Sequence, residues 1–379
     1  MRVVAACVLA GVLLAAPPTS AAQTPASPAR SGTPPRGPST RDVLDQYLKG
    51  DYEGAVGNPP RLVRFRPEDA ERWITAAGPA AVERRQLAAA LFALEYAGAR
   101  QGVLPSMLTW ARGVMSRLPP RPAEALWLRA SIALAEGLDR WVFLVEGVRG
   151  PAVDGKPTPA PVGHIRFART RYPDDPHFQM ADAIGAEVLA TRPLDRLSGP
   201  PTESSTGWDR IATDRLEAGG PRIEERTAAL DRAAGLFDRL TAHDTLGAEA
   251  NLRLGYVRLR QGRTDAALAH FDRIPSLTRN TSVRYLGHLY TGWGLGLLGR
   301  TDDAAAAYRA ALALVPRAQS ATALLVALLA RSDQLVEAEA AAEAFLTTDV
   351  APIDPWRTYF TSDFPEYPGL VRALRELLQ

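Results

Sequence analysis

Cysteine is almost absent from this chain of 379 residues, in which Cys7 is the only one. Because Cys7 lies in an N-terminal segment with the features of a cleaved signal peptide, the mature chain has no disulfide, no thiolate nucleophile and no cysteine metal site. The five histidines form no HExxH motif and no pair spaced i, i+4, so they predict no metal site either. We therefore expect no metal and no other cofactor.

The chain also lacks an excess of either charge. It has 44 Lys and Arg residues against 42 Asp and Glu, a net charge of +2, and Lys49 and Lys156 are its only lysines. Nucleic acids and anionic membranes attract a strongly basic surface, and this balance does not supply one. A nucleic-acid partner is therefore not expected.

Sequence motifs for catalysis are missing as well. The chain has no GxSxG elbow, no GxxxxGK[ST] loop and no GxGxxG that follows a strand, and the glycines of GWGLGLLG (292–299) lie inside a predicted helix. The paired carboxylates Asp174-Asp175 and Asp302-Asp303 fall at predicted helix starts, where acidic residues favour the helix dipole. The sequence thus predicts a non-catalytic protein.

The N-terminus predicts export. Met1-Arg2 is followed by an apolar run from Val3 to Ala16 and by Ser20-Ala21-Ala22, the small residues that a signal peptidase recognises. A run of about 14 residues is shorter than the roughly 20 that a transmembrane helix needs. We expect cleavage after Ala22, a periplasmic or secreted protein, no transmembrane span in the mature chain, and at most a peripheral association with the envelope.

Composition divides the remaining chain into segments. Proline, serine and threonine dominate residues 23–40, which predicts a disordered tether. The sequence of residues 41–221 predicts a divergent helical region, which long loops interrupt at 150–163 and 193–221. Its helices are expected to begin at the capping box Ser39 to Asp42 and at Pro67, Pro79 and Pro122, and WVFLVEGV (141–148) is also predicted to be helical.

A repeated pattern fills residues 222–347. Gly255, Gly262, Ala267 and Phe271 recur 37 residues later as Gly292, Gly299, Ala304 and Tyr308, and the corresponding positions after another 34 residues are Val326, Asp333, Ala338 and Ala342. The small residues predict close helix approach, and Gly262 and Gly299 predict helix ends that lead into threonine N-caps. Ala233 and Phe237 add half a unit, 34 residues before Ala267 and Phe271. The fold expected is an all-α solenoid of antiparallel helix pairs.

This spacing resembles the tetratricopeptide repeat, which has a small residue at positions 8 and 20, a large residue at position 24 and proline at position 32. Pro316 occupies position 32 of the second unit. The first unit instead has Pro275 at position 28, and the third lacks both the glycine at position 8 and the aromatic residue at position 24. GDYEGAV (50–56) is similar to the turn and second helix of such a unit.

The resemblance implies a ligand groove lined by the first helices, at positions 2, 5, 9, 12 and 13. In this chain those positions are Glu249, Leu252, Tyr256, Leu259 and Arg260, then Leu286, Leu289, Trp293, Gly296 and Leu297, then Ser320, Ala323, Ala327, Ala330 and Arg331. The candidate binding residues are Glu249, Tyr256, Arg260, Leu289, Trp293 and Arg331. The family's clamp for C-terminal carboxylates needs Lys and Asn at positions 5 and 9, and neither is present.

Residues 348–379 bear on whether this groove is free. Pro352 to Pro368 carries five aromatic residues, and Gly369 to Leu378 predicts an amphipathic helix that caps the array. The groove can bind an external protein or peptide, or it can be filled by this segment. We expect an exported scaffold that binds an unidentified protein or peptide in the cell envelope. The alternative is an enzyme or small-ligand-binding domain in residues 60–220 with repeats appended.

Overall fold

Helices make up the regular secondary structure in the described part of this protein. The computed structural model describes residues 37–57, 63, 65–100, 104–138, 140–147, 162–191, 223–346, 354–359 and 366–379. These residues form seventeen α-helices and one 3₁₀ turn, and no strand occurs among them. The all-α prediction is confirmed. The loops predicted at 150–163 and 193–221, the signal peptide and most of the tether lie largely outside the described residues.

Nine helices precede the repeats. They are α1 (Thr40–Leu48), α2 (Tyr52–Val56), α3 (Pro67–Thr75), α4 (Pro79–Ala99), α5 (Leu104–Met115), α6 (Pro122–Gly137), α7 (Trp141–Glu146), α8 (His164–Arg171) and α9 (Pro176–Thr191). The predicted starts are confirmed: Ser39 and Asp42 form the capping box, and Pro67, Pro79 and Pro122 occupy the first helical positions. The short α7 confirms the helix prediction for residues 141–146 of WVFLVEGV.

Eight helices follow. They are α10 (Ile223–Asp238), α11 (Gly247–Arg260), α12 (Thr264–Leu277), α13 (Thr281–Leu297), α14 (Thr301–Leu314), α15 (Gln319–Arg331), α16 (Leu335–Leu346) and α17 (Tyr367–Glu376), with a 3₁₀ turn at Pro355–Thr358 before α17. Consecutive helices pack as the pairs α11/α12, α13/α14 and α15/α16, and successive first helices also contact one another. None of the described helices is both long enough and apolar enough to cross a membrane.

The repeated small residues make room for the repeated aromatic rings. A Cβ atom on Gly255 would lie 2.3 Å from Cε1 of Phe271, and one on Gly292 would lie 2.6 Å from Cε1 of Tyr308. Because each glycine has no Cβ atom, the aromatic ring on the second helix of the pair can pack directly against the backbone of the first helix. Ala267 and Ala304 are fully buried, as their repeat positions predict.

The turn within each pair has one recurring geometry. Gly262, Gly299 and Asp333 all have positive φ, at 74°, 73° and 61°. In each turn the next residue donates a backbone hydrogen bond five positions back, as Arg263 N does to Arg258 O at 2.9 Å, which is the Schellman closure of a helix. The predicted threonine N-caps are wrong: Thr264 is the first helical residue of α12, and no side chain caps that helix.

The half unit predicted around Ala233 and Phe237 is completed by α9, which serves as its first helix. Both residues are fully buried on α10, and α10 packs extensively against α9. The two helices form another pair, although residues 192–222 separate them in sequence. The pattern of small and large residues could not indicate this pair, because it detects a first helix only when a short turn follows.

The C-terminal helix lies in a different place from that expected of a cap. Leu370 and Leu374 are buried, and α17 packs mainly against α6 and α4 rather than against the last pair, α15/α16. Arg375 Nε donates to Glu95 on α4 at 2.9 Å, and its guanidinium lies over the ring of Tyr52. The end of the chain therefore returns to the N-terminal helices, because these present the apolar surface that matches its leucines.

Candidate functional site

The first helices of the repeats bring two of the candidate residues together. The ring centroids of Tyr256 on α11 and Trp293 on α13 are 6.2 Å apart, and Tyr290 completes a triangle with them, 5.0 Å from Tyr256 and 6.4 Å from Trp293. We call the surface formed here by α9, α11, α13 and α15 the first-helix face. Its centre is an aromatic cluster.

The C-terminal segment covers this cluster. The Tyr359 ring centroid is 5.2 Å from that of Tyr256 and 5.7 Å from that of Tyr290, and Tyr359 is only 4% exposed. Asp354 is buried in the same segment. Of the two alternatives left open by the sequence, the structure favours filling by the protein's own chain at this position.

A buried ionic group fixes Tyr359. The Tyr359 hydroxyl donates to Glu187 Oε1 at 2.5 Å, and Arg253 Nη1 donates to Glu187 Oε2 at 3.1 Å. Arg253 also donates through Nε to Glu249 at 2.7 Å and through Nη2 to the Tyr359 carbonyl oxygen, while its Cζ lies 4.5 Å from the Tyr359 ring centroid. One guanidinium thus joins α9, α11 and the C-terminal segment.

Burial and the neighbouring charges together set the pKa values of this group. It raises the pKa of Glu187 above its ordinary value, against the opposing effects of Arg253 and of the hydrogen bond from Tyr359. Burial and the charge of Glu187 raise the pKa of Tyr359 well above its ordinary value, so the phenol stays a donor. Burial alone would lower the pKa of Arg253, but Glu249 and Glu187 outweigh it and raise that pKa.

A second polar anchor holds Asp354. Its Oδ1 accepts from the Tyr285 hydroxyl at 3.2 Å, and its Oδ2 accepts from the backbone N–H of Ser320 at 2.6 Å. Ser320 is in the first turn of α15, where backbone N–H groups have no partner within the helix. Burial and Asp354 both raise the pKa of Tyr285.

The remaining candidate residues occupy different environments. Glu249 is engaged by Arg253, and Leu289 is 1% exposed within the repeat core. Arg260 and Arg331 are exposed, and Trp293 is half-buried. Trp356, in the covering segment, is 43% exposed and close enough to the Tyr290 hydroxyl to affect its pKa.

Sequence reasoning missed Glu187 and Arg253, and it did not identify Tyr359 as the residue that they hold. The signal available was a charge next to apolar residues in a helix: Glu187 follows the apolar run from Ala183 to Ala186, and Arg253 stands between Leu252 and Leu254. A charge at such a position requires a partner when its helix is buried. The pattern does not indicate which residue the partner is.

The described residues offer little else for chemistry. They contain no group of three or more His, Cys, Asp and Glu side chains that could hold a metal ion. The buried His164 packs between Trp127 and Phe143, with Nδ1 at 3.1 Å from Ser131 Oγ. Its burial lowers its pKa well below the ordinary value, with a further contribution from Arg112. These contacts are those of a core histidine.

Comparison with known proteins supports the repeat interpretation. A family model described as tetratricopeptide repeat matches residues 228–280 and 295–352. The first match covers most of α10 and all of α11 and α12, and the second covers α14, α15 and α16. The helices within these two matches are therefore supported as parts of tetratricopeptide repeats. A search of curated proteins finds no match to this chain.

Proposed function

We propose that this protein is an exported, non-catalytic scaffold that binds a protein or peptide partner in the cell envelope. Tetratricopeptide repeats suggest a protein–protein interaction scaffold. The observation that carries the proposal is the set of residues that remain accessible beside the filled groove: Arg260 is exposed, Trp356 is 43% exposed and Trp293 is half-buried. Tryptophan and arginine are the residue types most often found as interface hot spots.

Site-specific photo-crosslinking tests this surface. A photo-reactive amino acid at Arg260 or Trp356 should form a discrete crosslinked product in envelope preparations. The same amino acid at Asp302, which is exposed in the first turn of α14, serves as the matched control because α14 is a second helix. Equal products from Arg260 and Asp302 would count against a partner site on the first-helix face.

Export is part of the proposal and needs its own test. The N-terminal charge, the apolar run and Ser20-Ala21-Ala22 support cleavage after Ala22. Mass spectrometry of the protein purified from its native source should find a chain that begins at Gln23, and an intact Met1 would contradict cleavage. Release of the protein from membranes by salt would distinguish a peripheral association from a soluble periplasmic or secreted state.

The alternative of an enzyme in residues 60–220 has no comparable support. Among the described residues of this region, the buried Glu124 is held by hydrogen bonds from Arg171 and Tyr172. No observation on this region favours a particular substrate or reaction.

A further inference from the structure

We propose that the first-helix face recognises an extended segment with an aspartate and, five positions later, a tyrosine, and that residues 354–359 (DPWRTY) are its resident occupant. An external segment of the same chemistry would replace them. The inference rests on the proposed function, because it names the class of partner that the scaffold binds.

The aspartate is recognised by two donors from two different first helices. The Tyr285 hydroxyl on α13 and the Ser320 N–H of α15 reach opposite oxygens of the Asp354 carboxylate, at 3.2 and 2.6 Å. The positive end of the α15 dipole also favours a negative charge at this point. An amide side chain would place an N–H₂ group against one of these donors, so the site selects a carboxylate.

The tyrosine is recognised at its ring, hydroxyl and main chain. Tyr256 and Tyr290 form the walls of the ring site, and Glu187 accepts from the hydroxyl. Arg253 donates to the tyrosine carbonyl oxygen, which also fixes the main chain. Phenylalanine would fill the ring site but leave the buried Glu187 without one donor, so the site distinguishes tyrosine from phenylalanine.

The spacing between the two anchors is set by a short turn. The Asp354 side chain accepts a hydrogen bond from the backbone N–H of Trp356 at 2.9 Å. This bond caps the 3₁₀ turn Pro355–Thr358. Proline at the first position of the turn is preorganised for it. Arg357 is exposed, so the face makes no demand on it comparable to its demand on Asp354 and Tyr359. Trp356 is 43% exposed, and it also lies close to the Tyr290 hydroxyl. The motif inferred is Asp-Pro, three intervening residues and Tyr.

Attachment to the chain favours the resident occupant. A tethered ligand competes at an effective concentration that is commonly in the millimolar range, so a free peptide displaces it poorly. An external partner must therefore bind more tightly, or bind a chain whose own anchors are weakened. The experiment therefore uses a chain in which the resident anchors are weakened.

The test uses the full-length chain with Asp354→Ala and Tyr359→Ala together, which removes both resident anchors. Binding of a fluorescent synthetic peptide with the sequence of residues 352–361 is measured by anisotropy. We expect saturable binding that weakens at least about tenfold when the peptide carries Tyr359→Phe or Asp354→Asn. The peptide with Arg357→Ala is the matched control and should bind as the unchanged peptide does.

A second variant covers the case in which the double substitution does not fold. Full-length Tyr359→Phe keeps the ring packing and loses only the hydroxyl, so the unchanged peptide should bind it more tightly than it binds the wild-type chain. Circular dichroism and a cooperative thermal transition establish which variant is folded. If no folded variant binds the peptide, or if the Phe and Asn peptides bind as well as the unchanged one, the proposal is overturned. Because the components are purified, this result is independent of whether photo-crosslinking finds a native partner.

Discussion

Tyr359 and Glu187 are 172 residues apart in sequence, and the Tyr359 hydroxyl donates to the Glu187 carboxylate at 2.5 Å in the protein interior. This bond joins the C-terminal segment to a helix that precedes the repeats. Together with Arg253, it makes the C-terminal segment part of the fold of the first-helix face.

Tyr359→Phe should destabilise the protein by about 1–3 kcal/mol, because the buried Glu187 oxygen loses its donor while the ring stays in place. The measurement is the free energy of unfolding from urea titration. Tyr308→Phe is the control, since the Tyr308 hydroxyl has no hydrogen-bond partner among the described residues and its ring contact with Gly292 is kept. Equal urea midpoints for the two variants would contradict the prediction.

Gly292→Ala should also destabilise the protein, by about 1–3 kcal/mol, although alanine is the better helix former. The added Cβ would lie 2.6 Å from Cε1 of Tyr308, so the two helices must separate. Gly235→Ala is the matched control, because a Cβ at this exposed helical position meets nothing within 4 Å. It should stabilise by up to about 1 kcal/mol. A stabilising Gly292→Ala would mean that the repeat alignment does not describe the packing.

The repeats could be predicted because their determining contacts are local. Gly292 meets Tyr308 within one helix pair, and the sizes of these two residues recur together in the sequence. The candidate site could be predicted only in part. Tyr256 and Trp293 come together because adjacent pairs stack, but the position of Tyr359 depends on Glu187, far away in sequence. A local periodicity contains no information about such a distant partner.

Asp333→Gly should stabilise the protein by about 0.5–1 kcal/mol. Asp333 adopts φ of 61° at the turn position where the other two units have glycine, and a non-glycine residue is strained there. Urea titration measures the gain, and Gly299→Asp should produce a loss of similar size. If the two substitutions change stability in the same direction, the three turns are not equivalent.

Acid should destabilise the protein through His164. Burial lowers its pKa well below the unfolded value of 6.5. The unfolded chain therefore binds the proton more tightly, and stability is lost as the pH falls below about 6.5. The free energy of unfolding should therefore be lower at pH 5 than at pH 7.5.

The variant His164→Gln isolates this effect. It retains a polar side chain for Ser131 and does not titrate, so its stability should change less between pH 7.5 and pH 5 than that of the wild type. Burial also lowers the pKa of His177, to about 4. Both proteins contain His177, so its contribution to the pH dependence of stability cancels in the comparison. Identical pH slopes for variant and wild type would exclude His164 as the cause.

Leu374→Ala tests whether the end of the chain stabilises the N-terminal helices. Leu374 is fully buried on α17, which packs against α6 and α4, so its truncation should cost about 2–5 kcal/mol. Leu377, on the same end of the chain but 53% exposed, is the control, and Leu377→Ala should change stability by less than about 0.5 kcal/mol. Hydrogen exchange locates the effect: loss of α17 packing should reduce amide protection in α4 and α6 more than in α15 and α16. Greater loss in α15 and α16 would instead place the helix at the C-terminal end of the repeats, as a cap.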